Sequence, residues 1–82
     1  MAKFRKKPVV IEAVQWSGSN WHEILDFAGS KNVYVTGVHL HVRTLEGDMS
    51  ASPDDWIIRG VENEVYACKP GIFRATYEEV EE

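Results

Sequence analysis

The chain is short of three things that small proteins use to hold a shape or to do chemistry. It has one cysteine, Cys68, so no intramolecular disulfide can staple it, and a lone thiol fits a reducing cytoplasm. Basic residues are scarce as well. Nine Lys and Arg against thirteen Asp and Glu leave a formal charge of −4, the wrong sign for a protein that grips a duplex by neutralising phosphates. General duplex DNA binding is therefore excluded. Long apolar runs are also missing. Residues 8–11 follow a basic segment as the centre of a secretion signal would, but Glu12 ends the run. Nothing approaches the roughly 18 apolar residues of a membrane span, so no membrane location is expected.

What is present is an ordinary globular composition. Over 82 residues, 44% are hydrophobic, 27% charged and 11% aromatic, which predicts one domain over residues 1–82. A domain of this size hides only about 60% of its unfolded surface, and its net stability should be roughly 4–12 kcal/mol. That leaves no room for a large buried catalytic apparatus, and it favours a homo-oligomer, because a second copy covers apolar surface that one thin core leaves wet. The charge is unevenly placed. Lys3, Arg5, Lys6 and Lys7 make a basic arm over residues 1–7, and Glu78, Glu79, Glu81 and Glu82 make an acidic tail over residues 78–82. These ends read either as two solvated termini or as an arm that guides an anion or touches a partner's acidic tail.

The pattern of side chains predicts an α+β fold. Residues 9–16 are β-branched and apolar on both faces, as suits a strand inside a sheet and covered on both sides, with Pro8 at its entrance. A turn over residues 17–20 leads into a helix over residues 21–28, where Trp21, Ile24, Leu25 and Ala28 form one apolar stripe. Asn20 and Glu23 have capping-box spacing, and Gly29 is a natural stop. Beyond it come a short strand at residues 33–35 and the clearest alternation in the chain, Val38, Leu40, Val42 and Thr44 against His39, His41 and Arg43. Glu46 and Gly47 then turn this strand back into residues 48–51. Strands at 56–59 and 64–68 follow, and residues 72–77 form a last strand or a one-turn helix followed by one. The expected architecture is a small, mostly antiparallel, curled sheet or open barrel with one short helix packed on it.

Few residues are placed for covalent chemistry. His39 and His41 share a strand face and could grip a transition metal, with Glu46 following as in the first metal motif of cupins. The spacing of the surrounding glycines does not match and the second motif of that family is absent, so a solvated or partner-facing pair is the plainer reading; no metal or other cofactor is assigned. Cys68 has no histidine brought near it by the sequence, and it reads as a small apolar strand residue. Asp54 and Asp55 read as a side-chain-capped turn. No nucleophile elbow and no Walker-type phosphate loop occurs. The chain is read as a binding protein, not an enzyme. Its aromatic supply is richer: Trp16, Trp21, Trp56, Tyr34, Tyr66 and Tyr77 serve either as core or as stacking surfaces beside Arg43, Arg59 or Arg74.

The opening FRKKPVVIEAVQWSG and the closing TLEGDMSASPDDWIIRGVENEVYACKPGIFRATYEEV resemble a family of short proteins encoded by tailed bacteriophages and prophages. The likeness spans nearly the whole chain except residues 30–43. Members usually carry Pro-Gly-Asp-Trp where this chain has Pro53, Asp54, Asp55 and Trp56, so the turn before that strand is a place where the two could differ. The resemblance assigns no residue a role. It implies viral origin and action in the cytoplasm of a bacterial host.

Short accessory proteins of such viruses commonly bind host machinery, and one class sequesters the nucleotide messengers of bacterial immunity as small homo-oligomers. The expectation is therefore a non-enzymatic phage accessory protein that binds a host component, with anti-defence capture of a nucleotide-like signal ahead of a host protein partner. Arg5, Lys6, Lys7, Arg43, Arg59, Tyr66 and Trp56 are the expected contact residues. The alternative is a structural or regulatory module that docks on a larger protein through its acidic end and an exposed strand edge, with no small molecule involved.

Overall fold

The computed structural model describes residues 1–5 and 7–80. In chain order the elements are β1 (Glu12–Gln15), α1 (Trp21–Ala28), β2 (Val33–Thr36), β3 (His39–Thr44), β4 (Gly47–Ala51), β5 (Trp56–Arg59), β6 (Val65–Cys68) and α2 (Pro70–Thr76). The strands form two antiparallel three-stranded sheets, ordered β1-β5-β6 and β2-β3-β4. The α+β class is as expected. No ladder joins the sheets among the described residues; β6 packs against β3 and β4 without pairing to them, so no closed barrel forms.

Alternation explains which sheet faces meet. On β3, Leu40 and Val42 point inward and are fully buried while His39 and Arg43 are exposed, as period-two spacing requires. Their register partners Val33, Val35 and Ala51 continue that inner face. Across from it lie Val14, Ile57, Val65 and Ala67 of the other sheet. Trp16, buried to 1% exposure, closes the end of this core together with Ile24 and Ala28 of α1. Ile58 is equally buried but on the reverse face of its sheet, the face that carries Trp56 and receives Phe73 of α2.

Helix α1 runs over the predicted residues and stops at Gly29, whose φ of +89° a side chain would resist and whose N–H donates to the Leu25 carbonyl at 2.9 Å. Its start differs from a capping box. The Asn20 side chain faces the preceding loop, accepting from the Ser17 N–H at 2.9 Å and donating to the Gln15 carbonyl at 2.9 Å, and it meets Glu23 through Oε1 at 2.7 Å. The two predicted residues touch each other but leave the first-turn amides alone.

Two expectations are corrected. Only residues 12–15 of the apolar stretch 9–16 pair, and they form an edge strand, the central one being β5. The reason lies in the partner: β5 ends at Arg59, opposite Glu12, because Gly60 turns the chain and bonds its N–H to the Glu64 carbonyl at 2.8 Å. Residues 9–11 have no ladder to join. The segment after Lys69, read as a break and then a strand or a one-turn helix followed by a strand, is a second helix over Pro70–Thr76. Pro70 opens it, its fixed φ suited to a first helical turn, and Phe73 and Tyr77 bond back to the carbonyls of Lys69 and Phe73.

The turn at residues 52–55 is fastened to β1. The Asp54 N–H donates to the Trp16 carbonyl at 2.6 Å, the Trp16 N–H to the Asp55 carbonyl at 2.8 Å, and Gln15 Nε2 to the Asp54 carbonyl at 2.9 Å. Asp55, 3% exposed, accepts from the Ser52 N–H at 2.9 Å and from Lys69 Nζ at 2.8 Å. Asp54 itself sits at φ +82° with its side chain exposed, a conformation that glycine adopts at no steric cost. Asp54→Gly should therefore raise stability by about 0.5–1 kcal/mol, a melting shift of a few degrees for a domain this size. A thermal melt checks this; a lower midpoint would mean that the carboxylate has a bonding role in the turn.

Candidate binding surfaces

The outer face of β2-β3-β4 carries a row of aromatic and charged groups placed by register alone. Tyr34 lies opposite His41, and their rings stack with centroids 4.6 Å apart and planes within 15°. The Arg43 guanidinium sits over the same Tyr34 ring at 4.9 Å, a cation–π contact on an open surface. Tyr34 donates its hydroxyl to Asp48 Oδ2 at 2.6 Å, and that bond to a carboxylate is the main reason its phenol is held above the usual range, with burial adding to it. His41 is flanked by Thr36 Oγ1 at 2.9 Å from Nε2 and Ser50 Oγ at 3.4 Å from Nδ1. Arg43 donates to the Lys31 carbonyl at 3.4 Å and forms no ion pair among the described residues.

Arg43 also reaches the edge of a hollow of about 640 Å³ between this sheet and β6. Leu45, Met49 and Val65 give it apolar walls, Asn32 and Asn63 give it amides and Glu46 and Glu64 carboxylates, and Tyr66 borders it with its hydroxyl turned to Tyr77. Arg43 and Tyr66 are two of the residues expected from sequence, and the fold brings them to one concavity. The remaining expected residues are elsewhere. Arg59 is used internally: it donates to the Phe27 carbonyl at 2.8 Å and to Glu12 Oε1 at 2.9 Å, with its guanidinium 4.7 Å over the Phe27 ring. Trp56 stacks on Phe73 at 4.3 Å and 8°. Arg5 and Lys7 are exposed on the N-terminal segment, and Lys6 lies outside the described residues.

Trp56 and Phe73 belong to a second concavity, also about 640 Å³, on the reverse face of β1-β5-β6. It runs between residues 9–13 on one side and Arg74, Tyr77, Glu78, Glu79 and Val80 on the other. Sequence reasoning missed the Tyr34–His41 stack, although cross-strand pairing of the two predicted strands would have set them opposite each other. It missed Phe73 because its segment was not read as a helix throughout.

Cys68 and His41 carry the side chains closest to nucleophilic chemistry. Burial, aided by Asp55, raises the Cys68 thiol above its usual range, which disfavours the thiolate a nucleophile needs. A serine triad would require a carboxylate on the far nitrogen of His41; Thr36 is there instead, and Asp48 is bonded to Tyr34. Among the described residues no three His, Cys, Asp or Glu side chains come together as metal ligands, and no helix is long and apolar enough to cross a membrane. No family model, curated protein or solved structure matches the chain.

The phenol of Tyr66 is pushed up to about 12, first by burial and then by the Tyr77 hydroxyl 3.4 Å away. Its folded value thus exceeds the ordinary value of 10.0, so the neutral form stabilises the fold fully below about pH 10, and that stability drains away between about pH 10 and 12. Denaturant unfolding across this window should show a decline that Tyr66→Phe reduces. An identical decline in the variant would place the titrating group elsewhere.

Proposed function

We propose that the chain is a non-enzymatic accessory protein of viral origin that grips an anionic, ring-bearing host molecule of nucleotide-like chemistry, withholding a defence signal from its receptor. The observation that supports this reading is Arg43: an exposed guanidinium backed by the Tyr34 ring, without an ion-pair partner among the described residues, at the mouth of the hollow against β6. A guanidinium held flat by an aromatic face keeps its outward donors for phosphate oxygens. The hollow has the volume range of small-molecule sites, its amides and apolar walls suit a heterocycle, and Glu46 and Glu64 in its lining leave Arg43 as the group that would meet a phosphate. Tyr66 borders the hollow, with its hydroxyl turned to Tyr77 on the reverse side of the sheet. Arg59 drops out of the contact set, since its donors are engaged by Phe27 and Glu12.

Calorimetry against mononucleotides, dinucleotides and cyclic nucleotides tests the reading. Arg43→Glu should weaken capture at least about tenfold, and Arg43→Lys should fall between, having the charge but not the planar fork. Equal affinity in all three proteins would remove Arg43 from the site.

A second reading, contact with a host protein, is favoured by a different observation: Val9, Val10 and Val80 are exposed along the reverse groove. Binding of a host protein that Val80→Asp abolishes, with no nucleotide bound at any concentration, would favour it over the first.

A further inference from the structure

The reverse groove is mixed in character. Its base is the stacked pair Trp56 and Phe73, its apolar sides are Val9, Val10, Ile11 and Val80, and its charged lining is Arg74 against Glu12, which pairs with Arg59, and the exposed carboxylates of Glu78 and Glu79. The groove lies along β1, an edge strand. Ahead of it the chain carries its own complement to such a surface: Phe4, 95% exposed, between Lys3 and Arg5, with Lys7 beyond. An aromatic ring that wet is costly to leave in water, and four basic side chains in the first seven residues against an acidic end give opposite signs.

Geometry argues against one chain serving both roles. The groove begins at Val9, immediately after Pro8. A residue before proline is driven to extended backbone, and Val9 and Val10 are β-branched, so the chain resists the tight reversal that would return Phe4 to a groove starting five residues later. None of residues 1–5, 7 and 8 lines it. Extended, the first eight residues reach about 26–29 Å, enough to cross to a neighbouring copy.

We infer that the groove receives the N-terminal arm of a second copy of this chain, Phe4 lodging against the Trp56–Phe73 stack and Arg5 and Lys7 meeting Glu78 and Glu79. The exchange is reciprocal. Each copy gives an arm and takes one, so the assembly closes at two under a twofold axis and does not extend into a fibre. The site lies on the opposite side of the β1-β5-β6 sheet from the proposed ligand surface, and the two proposals stand independently.

Charge swapping on the full chain tests this. Sedimentation equilibrium should show a wild-type dimer at about 50 mM salt that weakens at about 500 mM, as charge pairs at a rim do. Phe4→Ala should raise the dissociation constant at least about tenfold. The double variants Arg5→Glu with Lys7→Glu, and Glu78→Lys with Glu79→Lys, should each be monomeric, since arm and groove then repel. An equimolar mixture of the two should dimerise, because each arm then faces a groove of opposite charge. Circular dichroism confirms that both fold. A wild type that stays monomeric at about 200 μM, a dimer indifferent to Phe4→Ala, or folded double variants that do not associate when mixed would each overturn the inference.

Discussion

Trp16 is the constraint on which the remaining architecture hangs. Its indole is buried where the two sheets and α1 meet, its N–H and carbonyl both bond to the turn that precedes β5, and its Nε1 reaches the Val38 carbonyl in the hairpin turn between β2 and β3 at 3.3 Å. Burying a ring of this size contributes about 4–6 kcal/mol, an upper figure because the unfolded chain hides some of it already. That is comparable with the net stability of a domain this short. One residue thus joins three parts of the molecule that no ladder joins, which is how two small sheets with separate hydrogen bonding behave as one body.

The second consequence concerns polar groups. Every buried polar side-chain atom among the described residues has a partner, and the conspicuous cases are internal ties. Lys69 caps the buried Asp55, Arg59 ties the last turn of α1 to β1, and the Tyr66 and Tyr77 hydroxyls face each other. Such groups resemble site residues in a sequence because the residue types are the same. What separates Arg43 from Arg59 is the strand position: Arg43 is on the outward face of β3, whereas Arg59 ends β5 on the inward face beside Phe27. Alternation alone indicates the first. The second follows only once the register against β1 and the position of α1 are known.

Local pattern carried most of the fold. The stripe Trp21, Ile24, Leu25 and Ala28 defined α1 to the residue, and the alternation around Leu40 and Val42 defined β3 and its inward face. Where reading failed, nonlocal pairing decided. The apolar stretch 9–16 looked central, but the four-residue length of β5 limits what can pair with it. Pro70 looked like an interruption because proline ends ladders; it opens α2 because Lys69 before it is extended and Phe73 can bond back to it. The candidate surfaces were legible only in pieces: Arg43 and Tyr66 were chosen for their chemistry, while the hollow that unites them depends on β6 approaching β3 and β4.

The topology divides the chain unequally in time as well as in space. The sheet β2-β3-β4 is a meander of neighbours, with Thr36 paired to His39 and Thr44 to Gly47, so each closure spans a few residues and costs little chain entropy. In the other sheet Gln15 must find Trp56, with the whole meander intervening. Short loops close before long ones, and rates fall as contacts become more distant along the sequence. A nascent chain would therefore assemble its middle first and hold its beginning open, with β1 and the Trp16 indole waiting for the turn and strand around Trp56 still to be synthesised.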